Sequence, residues 1–207
     1  MNERAALMRA ICDNPDDDTP RLVFADWLQE HSEDHRAEFI RVQVEAARLP
    51  TDDARRKKLD RRASALQTQF GETWLRELPV PDKENVHWVK APDWLDGKTF
   101  DRGFAGLLRV QSTGTLAKYA AKLFTATPVR RLMIWYMKKA DKLTKIPHLR
   151  HLHTFRARVV ARQAADDILE CPHFDSIPDI RLSLSALPEP YRDRLLKRFG
   201  DRLRHQP

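Results

Sequence analysis

Apolar residues in the first part of the chain recur at helical spacing and predict a series of helices. The first helix is expected over residues 3–12, and the proline- and aspartate-rich run 14–20 then ends it. Asp18 or Thr19 is placed to cap a second helix, with Pro20 at its first position, where the missing N–H costs nothing. The N-terminus is therefore predicted to be helical from its third residue.

Two further helices are expected before residue 79. Ser32 is predicted to cap the third, whose apolar stripe includes Ala37, Ile40, Val44 and Ala47. The fourth is very basic and runs from about residue 52 to 78, with Gly71 as its weak point because glycine is a poor helix former. Together the four helices predict a helical module over residues 1–78.

The pattern changes after a proline-rich stretch, residues 79–100, which is expected to be a junction. Beyond it, short apolar runs with β character alternate with helical ones. Strands are predicted at 104–110, 129–137, 149–155 and 177–184, and helices at 116–124, 161–169 and 190–203. Strands separated by helices favour right-handed crossovers and a parallel sheet.

A spaced apolar frame, apolar-x-x-apolar-x-apolar, repeats through this region. Its copies are Val129, Leu132 and Ile134; Leu149, Leu152 and Thr154; Ile177, Ile180 and Leu182; and a poorer one with Phe104, Leu107 and Arg109. Units of about 20–29 residues with this spacing are typical of leucine-rich repeats. The asparagine that ends a well-formed repeat strand is missing, so the repeats are interpreted as degenerate.

The predicted fold class is mixed α/β, in three parts. Residues 1–78 form the helical module, residues 79–100 the junction, and residues 101–207 a short leucine-rich-repeat-like solenoid of parallel strands and helices. The helical module is expected to pack on the solenoid, and the helix from Pro190 is expected to cap it, since terminal repeats need a polar outer surface.

The N-terminal residues resemble a known bacterial family, the repeat-companion domain. The resemblance rests on ALMRAICDNPDDDTPRLVFADWLQEH followed by RAEFIRVQ, and it covers about residues 6–49. Members of that family commonly precede leucine-rich-like repeats, and Arg102-Gly103-Phe104 and Arg198-Phe199-Gly200 look familiar in that setting. The resemblance implies an architecture rather than a biochemical activity.

Composition limits the class of protein. No apolar run is long enough to span a membrane, and the N-terminus lacks a signal-peptide pattern. The chain has two cysteines, Cys12 and Cys171, each among apolar neighbours, which favours buried free thiols in a reducing compartment. We therefore expect a cytoplasmic protein with no membrane partner.

Motifs that carry catalysis or bind cofactors are missing from the sequence. There is no nucleophile elbow, Walker loop or dinucleotide-binding glycine pattern, so we expect a protein that is not an enzyme and has no cofactor. Two clusters contain residue types that bind metals: Asp16, Asp17, Asp18 and Asp26; and His148, His151, His153 and His173. Neither has the spacing of a calcium loop or a zinc site, so no metal is predicted.

The repeat frame predicts a recognition surface. If Leu132 and Ile134 point into the core, alternation turns their neighbours to the opposite, concave face. The predicted partner-binding residues are Arg109, Arg131, Met133, Trp135, His151, His153, Phe155 and Arg181. Large aromatic and arginine side chains are typical of protein interfaces, so protein–protein recognition as an adaptor or scaffold is the leading hypothesis. In the alternative, the N-terminal helices cover Trp135 and Phe155, or both belong to a local core.

Charge supports a second hypothesis. The net charge of +7 combines an acidic N-terminal part with a basic middle, because residues 101–165 hold 14 basic and two acidic side chains. Sequence-tolerant nucleic-acid binding would use Arg130, Lys138, Lys139, Lys142, Lys145, Arg150, Arg156 and Arg158. Pairing of the acidic part with the basic middle inside the fold would explain the same charges without any nucleic acid.

Overall fold

The computed structural model describes residues 2–88 and 99–206. Within them the helices are α1 Glu3–Asp13, α2 Thr19–Glu30, α3 Asp34–Arg48, α4 Ala54–Arg76, α5 Thr113–Phe124, α6 Arg162–Glu170 and α7 Glu189–Phe199. The strands are β1 Val86–Trp88, β2 Phe100–Asp101, β3 Phe104–Ala105, β4 Leu107–Ser112, β5 Arg131–Met137, β6 Thr154–Val159, β7 Asp179–Ser183 and β8 Leu203–Gln206. None of the described helices is long and apolar enough to cross a membrane.

Contacts divide the described chain into two compact units. The helical unit combines residues 2–79 with 99–106 and 124–128. The sheet unit combines residues 80–88, 107–123 and 129–206. The predicted junction over 79–100 is therefore wrong at both ends, since 86–88 form a strand of the sheet unit and 99–100 belong to the helical unit; residues 89–98 lie outside the described residues.

The four N-terminal helices lie close to their predicted bounds. Asp18 is the N-cap residue of α2, with a proline in its first turn, as the sequence predicts. Asp53 caps α4 by accepting hydrogen bonds from the backbone nitrogens of Arg55 (2.6 Å) and Arg56 (3.3 Å). The prediction that Ser32 caps α3 is wrong: Glu33 holds that position, because Ser32 has a φ of 63° and forms the turn after α2.

The core of the helical unit depends on a hairpin from much later in the chain. Strands β2 and β3 pair antiparallel, and each supplies one phenylalanine. Phe104 packs with the buried faces of α1, α2 and α3, while Phe100 packs with Phe39 and Trp74. The ring of Phe100 also lies over Gly71, where a Cβ would be 3.4 Å from Cε2, an ordinary van der Waals distance.

The hairpin turn is held by polar contacts to the N-terminal helices. Arg102 donates from Nη1 to Asp18 Oδ1 (3.1 Å) and from Nη2 to the carbonyl of Pro15 (2.9 Å). The backbone nitrogen of Gly103 donates to Oε1 of Gln43 (2.7 Å). The aspartate run thus serves helix capping and the binding of an arginine within the unit.

The sheet unit confirms the mixed α/β class. Its six strands follow the order β1-β4-β5-β6-β7-β8, in which β1 is antiparallel and each later pair is parallel. The predicted strand 104–110 is divided between β3 of the helical unit and β4 of the sheet. The closing helix ends at Phe199 rather than 203, since Gly200 takes a φ of 52° and the chain continues into β8.

One strand lies later in the chain than predicted. The segment 149–155 is mostly not a strand, because Pro147–His151 is a 3₁₀ helix and β6 begins at Thr154. Every third residue from Ala140 to Leu152 is buried, which is the period of a 3₁₀ helix. The apolar pair Leu149 and Leu152 follows this period of three rather than a strand pattern.

The pairing of the strands changes the residues at which the repeat frames begin. Leu132 pairs with Phe155, and Phe155 pairs with Ile180. The equivalent frames therefore begin at Val129, Leu152 and Ile177, which are 23 and 25 residues apart, whereas the predicted frames are 20 and 28 apart. The assignment to leucine-rich repeats stays a prediction.

Candidate functional site

Residues that alternate away from the core of the sheet unit form one surface, which we call the open sheet face. Its middle row follows the register His87, Arg109, Met133, Arg156, Arg181 and Arg204, from one edge strand to the other. Two residues further along each parallel strand, the same face carries Gln111, Trp135, Arg158 and Ser183. Two residues before Arg181, it carries Asp179. Neighbouring strands lie about 4.8 Å apart, so the side chains of a row are adjacent.

The opposite face of the sheet is the core. Leu132, Ile134 and Ile180 are all buried there. Phe155 is completely buried beside them, and its ring meets Phe174 of the 3₁₀ segment Pro172–Ser176 edge-on, with 4.8 Å between centroids. This contact fixes which residues of β6 face away from the core.

Half of the predicted partner-binding residues lie on the open sheet face. Arg109, Met133, Trp135 and Arg181 are there, and Trp135 is 48% exposed. The prediction is wrong for Phe155, which points into the core, since it pairs with the core residues Leu132 and Ile180.

Three further predicted positions need correction. His151 ends a 3₁₀ helix, and His153 precedes β6, so they do not alternate along a strand. Arg131 lies in register with Thr154 on the face side of its strand, but only 6% of it is exposed, so it is not available as a surface side chain. The errors at His151, His153 and Phe155 share one cause, which is the misplaced strand at 149–155.

Arg156 and Arg158 occupy the positions that the histidines and Phe155 were expected to fill. Both were predicted only as nucleic-acid contacts, and His87 and Arg204 were not predicted at all. The sequence TFRARV contains the necessary signal, since its apolar residues alternate strictly with arginines. His87 and Arg204 lie on short edge strands that periodicity does not reveal.

Arginines dominate the electrostatics of the face. Asp179 is the carboxylate in the set, and it pairs with Arg181 (Nη2 to Oδ2, 2.7 Å) and with Arg204 (Nε to Oδ1, 3.5 Å). Thr154 also donates to this carboxylate, at 3.2 Å. Partial burial and the positive charge of Arg181 lower the pKa of Arg156, which shows that the cations crowd one another. Among the described residues that alternate onto this face and are not buried, five are arginines and one is a carboxylate, and Glu84 borders its edge beside His87 and Arg109.

Aromatic rings lie beside these cations. Trp135 meets Tyr136 edge-on with 6.2 Å between centroids, and Tyr136 is 40% exposed. The guanidinium carbon of Arg158 is 6.0 Å from the Tyr136 ring, which is near the limit of a cation–π contact. Trp135 also borders a shallow depression of about 270 Å³ together with His87 and Arg109. Such a surface offers charge pairing and an aromatic contact side by side.

The remaining residues of the predicted nucleic-acid set lie outside the open sheet face. Lys138 and Lys139 follow β5, while Lys142, Lys145 and Arg150 belong to 3₁₀ segments, and all five are exposed. Arg130 is buried and precedes β5. The basic middle is therefore divided between the face and the connections at the strand ends.

The described cysteines and histidines form neither a low-pKa thiol nor a cluster of metal ligands. Burial raises the pKa of the Cys12 thiol to about 12, and burial also raises the pKa of Cys171. Among the residues described, no three His, Cys, Asp or Glu side chains come together as potential metal ligands. His173, for example, contacts the carbonyl oxygen of Thr144 through Nε2 at 3.0 Å.

No family model matches the chain, and neither the curated proteins nor the solved structures contain a significant match to it.

Proposed function

We propose that this chain is a binding module without enzymatic activity, and that its open sheet face recognises an acidic segment of another protein. The observation that carries the proposal is the row Arg109, Arg156, Arg181 and Arg204, with Arg158 beside it and Asp179 as the carboxylate among them. A partner that brings carboxylates to this row could pair with its arginines.

The geometry suits an extended acidic peptide. Arginine binds carboxylates through two parallel hydrogen bonds. Its long side chain lets arginines on strands about 4.8 Å apart reach the same-side carboxylates of an extended peptide, which are about 6.8 Å apart. Trp135 supplies an exposed aromatic ring at the edge of this row, and tryptophan and arginine are the residues most enriched among energetically important interface contacts.

Two features of the sequence agree with this proposal. The residues that resemble the repeat-companion domain, and the repeat frame behind them, favour an architecture that is used for recognition rather than catalysis. The buried free thiols fit a protein of the reducing cytoplasm, where an adaptor or scaffold would meet its partner.

The proposal is tested by capture from native lysate with two matched triple variants. The face variant carries Trp135→Ala, Arg158→Glu and Arg204→Glu, all at exposed positions. The control variant carries Leu196→Ala, Lys58→Glu and Lys197→Glu, which remove one exposed apolar side chain and change the charge equally on other surfaces. A captured protein would then be purified and its affinity for all three chains measured by calorimetry.

We expect the face variant to lose at least about tenfold in affinity, since it removes two cations and one aromatic contact, while the control variant binds like the wild type. Equal binding by both variants would show that the open sheet face is not the binding surface. Nuclease-sensitive capture with no stoichiometric protein would overturn the protein partner and favour nucleic acid.

Nucleic acid is the second candidate, because one observation favours it. Arg158 lies beside the exposed rings of Tyr136 and Trp135, and single strands bind to surfaces that combine cations with stacking aromatics. The exposed lysines 138, 139, 142 and 145 would extend such a surface beyond the face.

A further inference from the structure

The helical unit contains a cavity of about 390 Å³ that lies within the size range of small-molecule sites. Its lining is mixed, and the larger apolar side chains in it are Met8, Leu78, Trp74, Phe100 and Phe104. The charged residues on its lining are Arg4, Arg9, Arg36 and Glu77. All of these residues belong to the helical unit, so the cavity is independent of the open sheet face.

Arg36 is the unusual member of this lining. Its guanidinium carbon lies 4.5 Å from the ring centroid of Trp74 and 5.7 Å from those of Phe100 and Phe104. Nη1 of Arg36 is buried and has no hydrogen-bond partner among the residues the structure describes. A buried donor of a charged group without an acceptor is costly, so the charge of Arg36 is incompletely compensated by the described residues.

The neighbouring carboxylates do not supply that acceptor. Glu33 is held by Arg4 through two hydrogen bonds, and the nearest approach of Glu77 to Arg4 is 3.9 Å. Burial lowers the pKa of the Arg36 guanidinium to about 10, so it stays charged at neutral pH even though its surroundings disfavour the charge. The cation is thus fixed by three rings and lacks an oxygen on one edge.

We propose that this cavity binds a small carboxylic acid with an apolar or aromatic body. The carboxylate pairs with the guanidinium of Arg36, and the body packs against the aromatic and aliphatic residues of the lining. The described lining holds three arginines and one carboxylate, Glu77, so it favours an anion over a cation.

Calorimetry of the full chain with phenylacetate and hexanoate tests this site, each acid compared with its neutral amide. We expect saturable binding of at least one acid, and at least about tenfold weaker binding of its amide, because hydrogen bonds to an ionised partner are roughly twice as strong. Arg36→Met should weaken the acid to the level of the amide, since it keeps the apolar stem and removes the donor.

A second pair of variants locates the site without altering Arg36. Ala5 is exposed on α1 and lines the cavity, while Ala6 is exposed beside it and does not. Ala5→Phe should fill the entrance and reduce binding at least about tenfold, whereas Ala6→Phe should leave it unchanged. The proposal is overturned if neither acid binds more tightly than its amide, or if Ala5→Phe binds as the wild type does.

Discussion

At the scale of single residues, Gly103 shows how closely the hairpin of the helical unit approaches α3. Its φ of 91° lies in the region that favours glycine, and a Cβ there would lie 2.4 Å from Cγ1 of Ile40 and 2.9 Å from its Cα. The adjacent Arg102 also has a positive φ, 44°, which is strained for a residue with a Cβ. The hydrogen bonds from the Arg102 side chain to Asp18 and Pro15 hold the turn in this conformation. A side chain at position 103 therefore meets both backbone strain and a steric clash.

Gly103→Ala is expected to lower the free energy of unfolding by about 2–4 kcal/mol, the sum of left-handed strain and overpacking. Gly200→Ala is the matched control, since Gly200 also has a positive φ, 52°, but nothing lies within 4 Å of its Cβ position. The control should cost only the backbone strain, about 1–3 kcal/mol, because Gly200 combines its positive φ with a ψ of −133°. Urea unfolding of both variants measures the difference, and equal midpoints would contradict the clash with Ile40.

At the scale of elements, β6 is the strand whose placement changes the site. Its apolar residues Phe155, Ala157 and Val159 are buried, and Arg156 and Arg158 alternate with them. The preceding 3₁₀ segments bury every third residue instead. The first two apolar positions of the repeat frame are also three residues apart, so this part of the frame matches the 3₁₀ segments as well as it matches a repeat strand. A shift of three residues exchanges the two faces, because three is an odd number of strand positions.

Phe155→Ala tests this placement directly. We expect a loss of about 3–5 kcal/mol in the free energy of unfolding, because the change leaves a cavity where the ring meets Phe174. Arg158→Ala on the same strand is exposed and should change stability by no more than about 0.5 kcal/mol. If both variants unfolded at the wild-type urea concentration, Phe155 would be a surface residue, as the misplaced strand implies.

At the scale of the whole molecule, charge is arranged unit by unit. Acidic side chains of the N-terminal helices pair with arginines of the same unit, as in Asp18 with Arg48, Asp26 with Arg41 and Glu38 with Arg62. The charge of Glu38 is stabilised by its hydrogen bonds to Arg62, which lower its pKa. The arginines of the open sheet face belong to the other unit, where Asp179 forms ion pairs with Arg181 and Arg204.

The two candidate functions predict different affinities of this chain for nucleic acid. If the natural partner is a protein, we expect the chain to bind a single-stranded oligonucleotide only non-specifically, with a Kd of about 10⁻⁴–10⁻⁶ M at physiological salt. Fluorescence anisotropy at several salt concentrations measures this affinity. Much tighter binding that weakens steeply with salt, and that is lost with Lys138→Glu, Lys139→Glu and Lys142→Glu, would favour nucleic acid instead.

Local patterns in the sequence determined the position of those helices and strands that depend on neighbouring residues. Helical spacing, the cap at Asp18 and the proline after it locate the N-terminal helices, and the alternation of apolar residues identifies β5 and β7. These features are predictable because each depends on backbone geometry and on which side of a helix or strand is apolar. Arg109, Met133, Trp135 and Arg181 of the open sheet face follow from the same alternation.

Only the tertiary structure decided the features that join distant parts of the chain. The contacts of Arg102 and Gly103 with Asp18 and Gln43, the ring of Phe100 against Gly71, and the edge strands carrying His87 and Arg204 all have partners far away in sequence. The pairing of β6 with its neighbouring strands was also needed to decide which of its residues face the core. Over so few residues, a burial period of two cannot be told from a period of three by sequence alone. The sequence thus determined most elements and part of the face, and long-range packing decided which arginines meet there and which aromatic rings surround Arg36.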